Sequence, residues 1–154
     1  MQPVRQLSDR EAGYIAGIVD GEGTITLTRT HRGENRRPVV SVSSTEEPLL
    51  SYVRRVIGAG RITRKKRERD HHSPSFAYTI YSRQALALLE QIAALLRTYK
   101  AARARLLLDE YLSVTPRNGR YDTNRRATKE AFERRFFALS VRQAGIGERR
   151  SGSR

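Results

Sequence analysis

Tyr14-Ile15-Ala16-Gly17-Ile18-Val19-Asp20-Gly21-Glu22-Gly23 is the stretch from which the rest of the chain is read. It is apolar and small until it reaches two carboxylates set between glycines. On a helix Gly13, Ala16, Gly17 and Asp20 fall at i, i+3, i+4 and i+7, a stripe with little side-chain bulk above the acidic end. Such a stripe lets another backbone approach closely. Gly21 and Gly23 are expected to turn the chain out of the helix, and Thr24-Ile25-Thr26-Leu27-Thr28 begins the alternation of a strand. The competing account of the same residues is an ordinary helix crossing in a core, followed by an acidic loop.

Around this stretch the punctuation is regular. Ser8 reads as an N-cap with Glu11 completing a capping box, so the first helix is expected from Asp9 to Val19 or Asp20. In the strand that follows, Ile25 and Leu27 share one face, while Thr24, Thr26, Thr28, Thr30 and Arg32 share the other. Gly33-Glu34-Asn35 supplies a turn, and Arg36 to Ser43 returns with Val40 and Val42 on one face and Arg37, Val39 and Ser41 opposite. Thr45 is the expected cap of a second helix with Pro48 in its first turn, a stripe of Leu49, Leu50, Val53, Val56 and Ile57, and Gly58 at its end.

A basic strand or arm follows over residues 61–69, with Arg61, Thr63, Lys65 and Arg67 opposite Ile62. Phe76, Tyr78 and Ile80 then alternate inward to complete a second hairpin with Thr79 on its outer side. Three helices are expected beyond it. One runs from Ser82 to about Leu96; a second follows Lys100 with Leu107, Leu108, Tyr111 and Leu112 inward and stops before Pro116. The last spans about Asn124 to Gln143 with Ala127, Phe132, Phe136 and Leu139 on its apolar face. Residues 144–154 read as a disordered basic tail behind one domain over residues 1–143.

Composition narrows the function classes. Thirty Lys and Arg against sixteen Asp and Glu give a net charge of +14 on 154 residues, and 26 of the thirty are Arg. Planar guanidinium groups bind phosphates and guanine edges in pairs, so nucleic acid is the expected partner ahead of a membrane surface. No cysteine is present, which excludes a disulfide frame and a thiolate zinc site. No apolar run reaches membrane-spanning length and the first residues lack a secretory core, so an intracellular protein is expected, in the cytoplasm and nucleoid or in an organelle. His71-His72 has no third ligand at metal spacing and reads as a loop.

At Ile15 to Gly23 the sequence resembles the LAGLIDADG homing endonucleases. Four of the nine positions are identical in type (Ala16, Gly17, Asp20, Gly23), three are apolar for apolar, Gly21 replaces a small residue, and Glu22 replaces one carboxylate by another. The order helix, two strands, helix, two strands, helix, read from periodicity alone, agrees with the αββαββα core of that family. The resemblance therefore implies an α+β fold in which four strands form one antiparallel DNA-binding sheet, with helices on one face and extra C-terminal helices. It implies site-specific cleavage of double-stranded DNA by metal-dependent hydrolysis, as part of a mobile intron-borne element.

Carried over residue by residue, the resemblance makes Glu22 the metal-binding carboxylate and Gly21 a carbonyl ligand, with Asp20 supporting the helix end. Mg2+ is the implied cofactor, with Mn2+ or Ca2+ able to take the same place. Lys100 matches a basic residue beneath the cleavage site, against the plain alternative of a solvated lysine. Ser44 stands where the family often has a polar group touching the water shell, but Glu46 and Glu47 follow it instead of an Arg. Because the motif occurs once, the resemblance implies a homodimer packed through Gly13, Ala16, Gly17 and Asp20. Candidate DNA contacts, by strand parity, are Thr26, Thr28, Thr30, Arg32, Arg37, Ser41, Arg61, Thr63, Lys65, Arg67 and Thr79. The same scaffold could instead serve an RNA maturase that assists intron splicing, or a DNA-binding protein without nuclease activity.

Overall fold

The structure, a computed structural model, describes residues 2–65 and 74–141. Arg67, the His71-His72 pair and the tail over residues 144–154 lie outside the described residues. The chain forms two compact units, residues 1–96 and 97–154.

The first unit runs α1 (Asp9–Glu22), β1 (Gly23–Thr28), β2 (Arg37–Ser44), α2 (Glu47–Ile57), β3 (Arg61–Arg64), β4 (Phe76–Tyr81) and α3 (Ser82–Ile92). Its four strands make one antiparallel sheet in the order β1-β2-β4-β3, so the second strand of each hairpin meets the other at the centre. Period-two alternation sends Ile25, Leu27, Val40, Val42, Tyr78 and Ile80 to one face, all buried. Ala12, Ile15, Ala16 and Val19 of α1, Leu50, Val53, Val56 and Ile57 of α2, and Ala85, Leu86, Leu88, Leu89 and Ile92 of α3 cover that face. This α+β arrangement, helices on one face and an uncovered sheet on the other, is the architecture expected from the sequence.

The capping box forms as read. Glu11 N–H donates to Ser8 Oγ at 3.1 Å, and Ser8 N–H donates to Glu11 Oε1 at 2.9 Å. Those bonds hold the Glu11 carboxyl below its usual range. The far end of α1 differs from expectation, because the helix continues past Asp20 to Glu22. Gly21 is a helical residue and turns nothing; the chain leaves the helix at Gly23, which is extended, in a space that admits no side chain. A Cβ on Gly23 would lie 2.7 Å from the Val19 Cα, and its N–H donates to the Val19 carbonyl.

Three further boundaries move for local reasons. Glu46, not Thr45, holds the N-cap position of α2, without a side-chain cap bond; its own N–H donates to Ser44 Oγ at 2.9 Å, and the helix starts one residue later than expected. The α-helical part of α3 stops at Ile92 and passes into one 3₁₀ turn over Ala93–Leu95, short of Leu96. β3 is only four residues long. A feature absent from the sequence reading is the N-terminal strap: Leu7 N–H donates to Gln91 Oε1, Gln91 Nε2 to the Arg5 carbonyl, and Arg5 N–H to the Ile57 carbonyl.

The tightest constraint lies between α2 and β4. Gly60 holds a left-handed φ of 101°, and a Cβ there would stand 2.5 Å from the Tyr78 ring, whose hydroxyl donates to the Ala59 carbonyl at 2.7 Å. Gly60→Ala must adopt a strained backbone and displace a fully buried ring, so it is expected to destabilise the fold by at least about 2 kcal/mol. Urea titration of the variant against the parent measures that loss.

The second unit contains α4 (Tyr99–Glu110) and α5 (Thr123–Ala138). Asp122 caps α5 by accepting the Arg125 N–H at 2.8 Å, and the helix begins at Thr123, one residue before the expected start. The rings of Tyr111, Phe132 and Phe136 form a run with centroids 6.4 and 6.5 Å apart. Leu112 and Ala127, expected inward, are exposed, and Lys129 is buried instead. Its Nζ donates to Thr115 Oγ1 at 2.7 Å and sits 4.1 Å over the Tyr111 ring.

Burial draws the Lys129 ammonium down to about 8, against the 10.5 of a free lysine. Between those values the unfolded chain binds the proton that the native chain has released, so stability rises with pH from about 8 to about 10.5. The melting temperature is expected to climb by a few degrees across that window, measured as the difference from Lys129→Met, in which the rise disappears. Among the described residues no helix is long and apolar enough to cross a membrane.

Candidate nucleic-acid interface and acidic helix end

The last turn of α1 carries Asp20 and Glu22 and no basic residue. Carbonyls at a helix C-terminus lack intrahelical donors and form the negative end of the macrodipole, which disfavours carboxylates there. Asp20 is half-buried and already engaged by another group. Glu22 is exposed, and among the described residues no hydrogen bond or ion pair engages its side chain. An acid placed at the unfavourable end of a helix, in a chain of net charge +14, is a local negative focus open to a cation.

Strand register locates this focus. Gly23 pairs with Val42, so Glu22 sits one residue beyond the ladder, at the sheet end where β2 finishes in Ser43 and Ser44. Ser44 pairs with Phe76 and spends its oxygen on the Glu46 N–H. Gly21, in the same last turn, offers a helix-end carbonyl. Lys100 belongs to the other compact unit, where it is the second residue of α4, buried and already engaged. No group of three or more His, Cys, Asp or Glu able to hold a metal occurs among the described residues. The donors present are thus one free carboxylate and a backbone carbonyl. These hard oxygens suit Mg2+ or Ca2+, provided that waters, phosphates or a second chain complete the shell.

The small-residue stripe is also altered by the structure. Ala16 is 2% exposed and packs in the protomer's own core, so it cannot be part of an open contact surface. The open ridge is Gly13, Gly17 and Gly21, spaced i, i+4, i+8, each with nothing within 4 Å of where a Cβ would stand. The helical period of 3.6 residues puts these three in line and turns Ala16 inward. Tyr14 borders the ridge, half exposed, with its ring edge-on to Tyr52 of α2 at 5.4 Å.

Outward-facing positions form rows across the uncovered side of the sheet. Thr24, Ser41, Thr79 and Arg61 make one row over all four strands; Thr26, Val39 and Tyr81 make the next, and Thr28 with Arg37 the last. Ser43, Ala77 and Thr63 lie on the other flank. None of these positions holds an Asp or Glu. Arg37, Arg61 and Thr63 are exposed and Thr26, Thr28, Ser41 and Thr79 half-buried, while Lys65 lies exposed just past β3. Thr30 and Arg32 are exposed in the β1–β2 loop and not on the strand.

Thr24 and Tyr81, the exposed pair, are on this face without being among the candidates read from the sequence, as are Val39, Ser43 and Ala77. Thr24 falls on the outer side by parity without being selected. Tyr81 escapes because the inward alternation ends at Ile80, although one more step along β4 reaches it. Val39, expected outward, is buried because β2 is flanked by strands on both sides.

Comparison with known proteins bears on the same elements. Residues 9–93 match the family model described as LAGLIDADG-like domain. Among solved structures, the homing endonuclease I-CvuI in complex with its target in the presence of Ca is 18% identical, with a TM-score of 0.68 over 86% of this chain and 83% of that one. A second I-CvuI complex, with Mg and uncleaved DNA, is 21% identical with a TM-score of 0.67, covering 86% and 83%. The archaeal intron-encoded homing endonuclease I-Vdi141I complexed with DNA is 18% identical, with a TM-score of 0.58 over 86% and 85%. These likenesses show the fold. Among curated proteins no sequence matches.

Proposed function

The chain belongs to the LAGLIDADG-like family, and from that membership we propose that it is a site-specific endonuclease that binds double-stranded DNA as a homodimer and cuts both strands by metal-dependent hydrolysis. The observation that carries the reading is the unengaged Glu22 at the negative end of α1, beside a sheet face whose outward positions bear arginines and no acid. An uncovered antiparallel sheet fits the width of the DNA major groove.

Each residue then has a task. Arg37, Arg61, Lys65, Arg32 and Arg67 compensate phosphates or read guanine edges, and Thr26, Thr28, Thr30, Ser41, Thr63 and Thr79 offer hydroxyls to base edges. Glu22 and the Gly21 carbonyl hold the divalent ion, Mg2+ in the working enzyme, with Mn2+ or Ca2+ as substitutes. An ion held there would supply an activated water and charge compensation at the phosphate. Asp20 fixes the helix end, Ser44 orders the water shell and Lys100 compensates developing charge. The Gly13, Gly17 and Gly21 ridges of two copies pack about a twofold axis, so that each copy contributes one Glu22. Intron RNA is a second proposed partner.

The test is cleavage of a randomised duplex library by the purified protein with Mg2+. Recovery of one long, nearly palindromic site supports the reading. Absence of any product, with tighter binding of structured RNA than of duplex at matched salt, replaces it by a splicing-assistant role.

A further inference from the structure

On the outer face an arginine leans on a tyrosine ring. Arg37 Cζ stands 4.1 Å from the centroid of the Tyr81 ring. Val39 pairs with Tyr81, so Arg37, two residues earlier on β2, reaches its platform diagonally past the end of the ladder. The platform is itself pinned. Tyr81 ends β4, and the next residue, Ser82, takes a left-handed φ of 55°, a conformation that turns the chain at once into α3. Arg37, Tyr81, Thr79 and Arg61 line one concavity at this end of the sheet with Gln2 and Gln84, and Gln84 Nε2 is committed to the Gln2 carbonyl.

We propose that Arg37 is a specificity-determining residue that reads a guanine in the major groove, with Tyr81 as its positioning residue. The inference rests on the DNA-reading role of the sheet argued above. An aromatic ring against one face of a guanidinium leaves its edge donors free and restricts the fork to one plane. Guanine presents two acceptors, O6 and N7, spaced for that fork, and a side chain already ordered loses less rotamer freedom on binding. A phosphate also takes the fork in pairs but carries no sequence information, so the base preference of the variants separates the two contacts. On the neighbouring strand the outward residues Thr26 and Thr28 are short and leave the fork room to reach a base edge.

Selection from randomised duplexes, run in parallel on the parent protein, Arg37→Ala, Tyr81→Phe and Tyr81→Leu, tests this, with circular dichroism confirming that each variant folds. The parent is expected to demand guanine at one position of each half-site. Arg37→Ala should lose that preference by about ten- to a hundredfold and keep the others. Tyr81→Phe retains the ring and should retain the preference, whereas Tyr81→Leu should relax it at the same position only. A uniform loss of affinity with a salt dependence shallower by about one ion identifies a phosphate contact and overturns the inference. An unchanged base profile in Arg37→Ala overturns it too, while leaving DNA recognition intact. Failure of the parent to select any sequence removes the inference together with the function on which it rests.

Discussion

Glu22→Gln is expected to leave duplex binding within a few fold of the parent and to lower strand cleavage by about a thousandfold or more. Charge decides this outcome. Gln keeps the size of the side chain and an acceptor oxygen, but it removes the only unengaged acid of the α1 last turn. Charge stabilisation by a catalytic cation contributes several kcal/mol to phosphodiester chemistry. At about 1.36 kcal/mol per factor of ten, losing about 4 kcal/mol of it corresponds to about a thousandfold. The same change should leave the fold equally stable or slightly more so, because an acid at the negative end of a helix is unfavourable where it stands. Loss of activity without loss of stability separates a working group from a structural one. Single-turnover cleavage, duplex binding and thermal melting on the same preparation decide it; an active Glu22→Gln enzyme refutes the assignment.

Gly17→Leu should have the second largest effect, and again with opposite signs in the protomer and the assembly. Gly17 is exposed, lies inside α1 and has nothing within 4 Å of its missing Cβ, so a larger side chain meets no obstacle within the chain. Alanine exceeds glycine in helix propensity by about 0.8–1 kcal/mol and leucine by somewhat less, so the protomer should be stabilised by about 0.5 kcal/mol or more. Two bare ridges pressed together leave no room for that side chain, so dimerisation and double-strand cleavage should be lost together. Sedimentation at micromolar concentration reads the assembly state, and plasmid linearisation reads the paired cuts. Gly23→Ala is the contrasting control. Its Cβ would be 2.7 Å from the Val19 Cα, so it should destabilise the protomer itself. A Gly17→Leu protein that still sediments as a dimer and linearises plasmid would show that the ridge is not the interface.

Much of this was legible in the residues. The Ser8–Glu11 box, the alternation of β1, β2 and β4, and the apolar faces of α2 and α3 are local patterns, and local patterns survive into the fold. Sheet order was less accessible. Two hairpins can be joined in several ways, and only the family resemblance pointed to a single sheet. The α1 end differs from expectation because glycine usually marks a turn, yet Gly21 stays helical and the chain becomes extended only at Gly23, where a Cβ would meet the Val19 backbone. Ala16 was assigned to the open stripe because i+3 and i+4 neighbours share a face loosely; the core took it. Lys129 replaced Ala127 on the buried face of α5 because a lysine can bury its stem and its ammonium found Thr115 and the Tyr111 ring. Neither partner is visible at helical spacing.

The brevity of β3 has an outcome of its own. An edge strand offers unpaired N–H and C=O groups to any extended peptide that drifts past, and a long flat one invites fibril growth. Here the edge is four residues long, with Arg61, Thr63 and Arg64 all exposed. The guanidinium groups therefore repel a second cationic edge as well as attracting phosphate. Redesigns that trade Arg61 and Arg64 for valine or threonine would let the edge of one sheet zip onto the next, and their solubility would fall first.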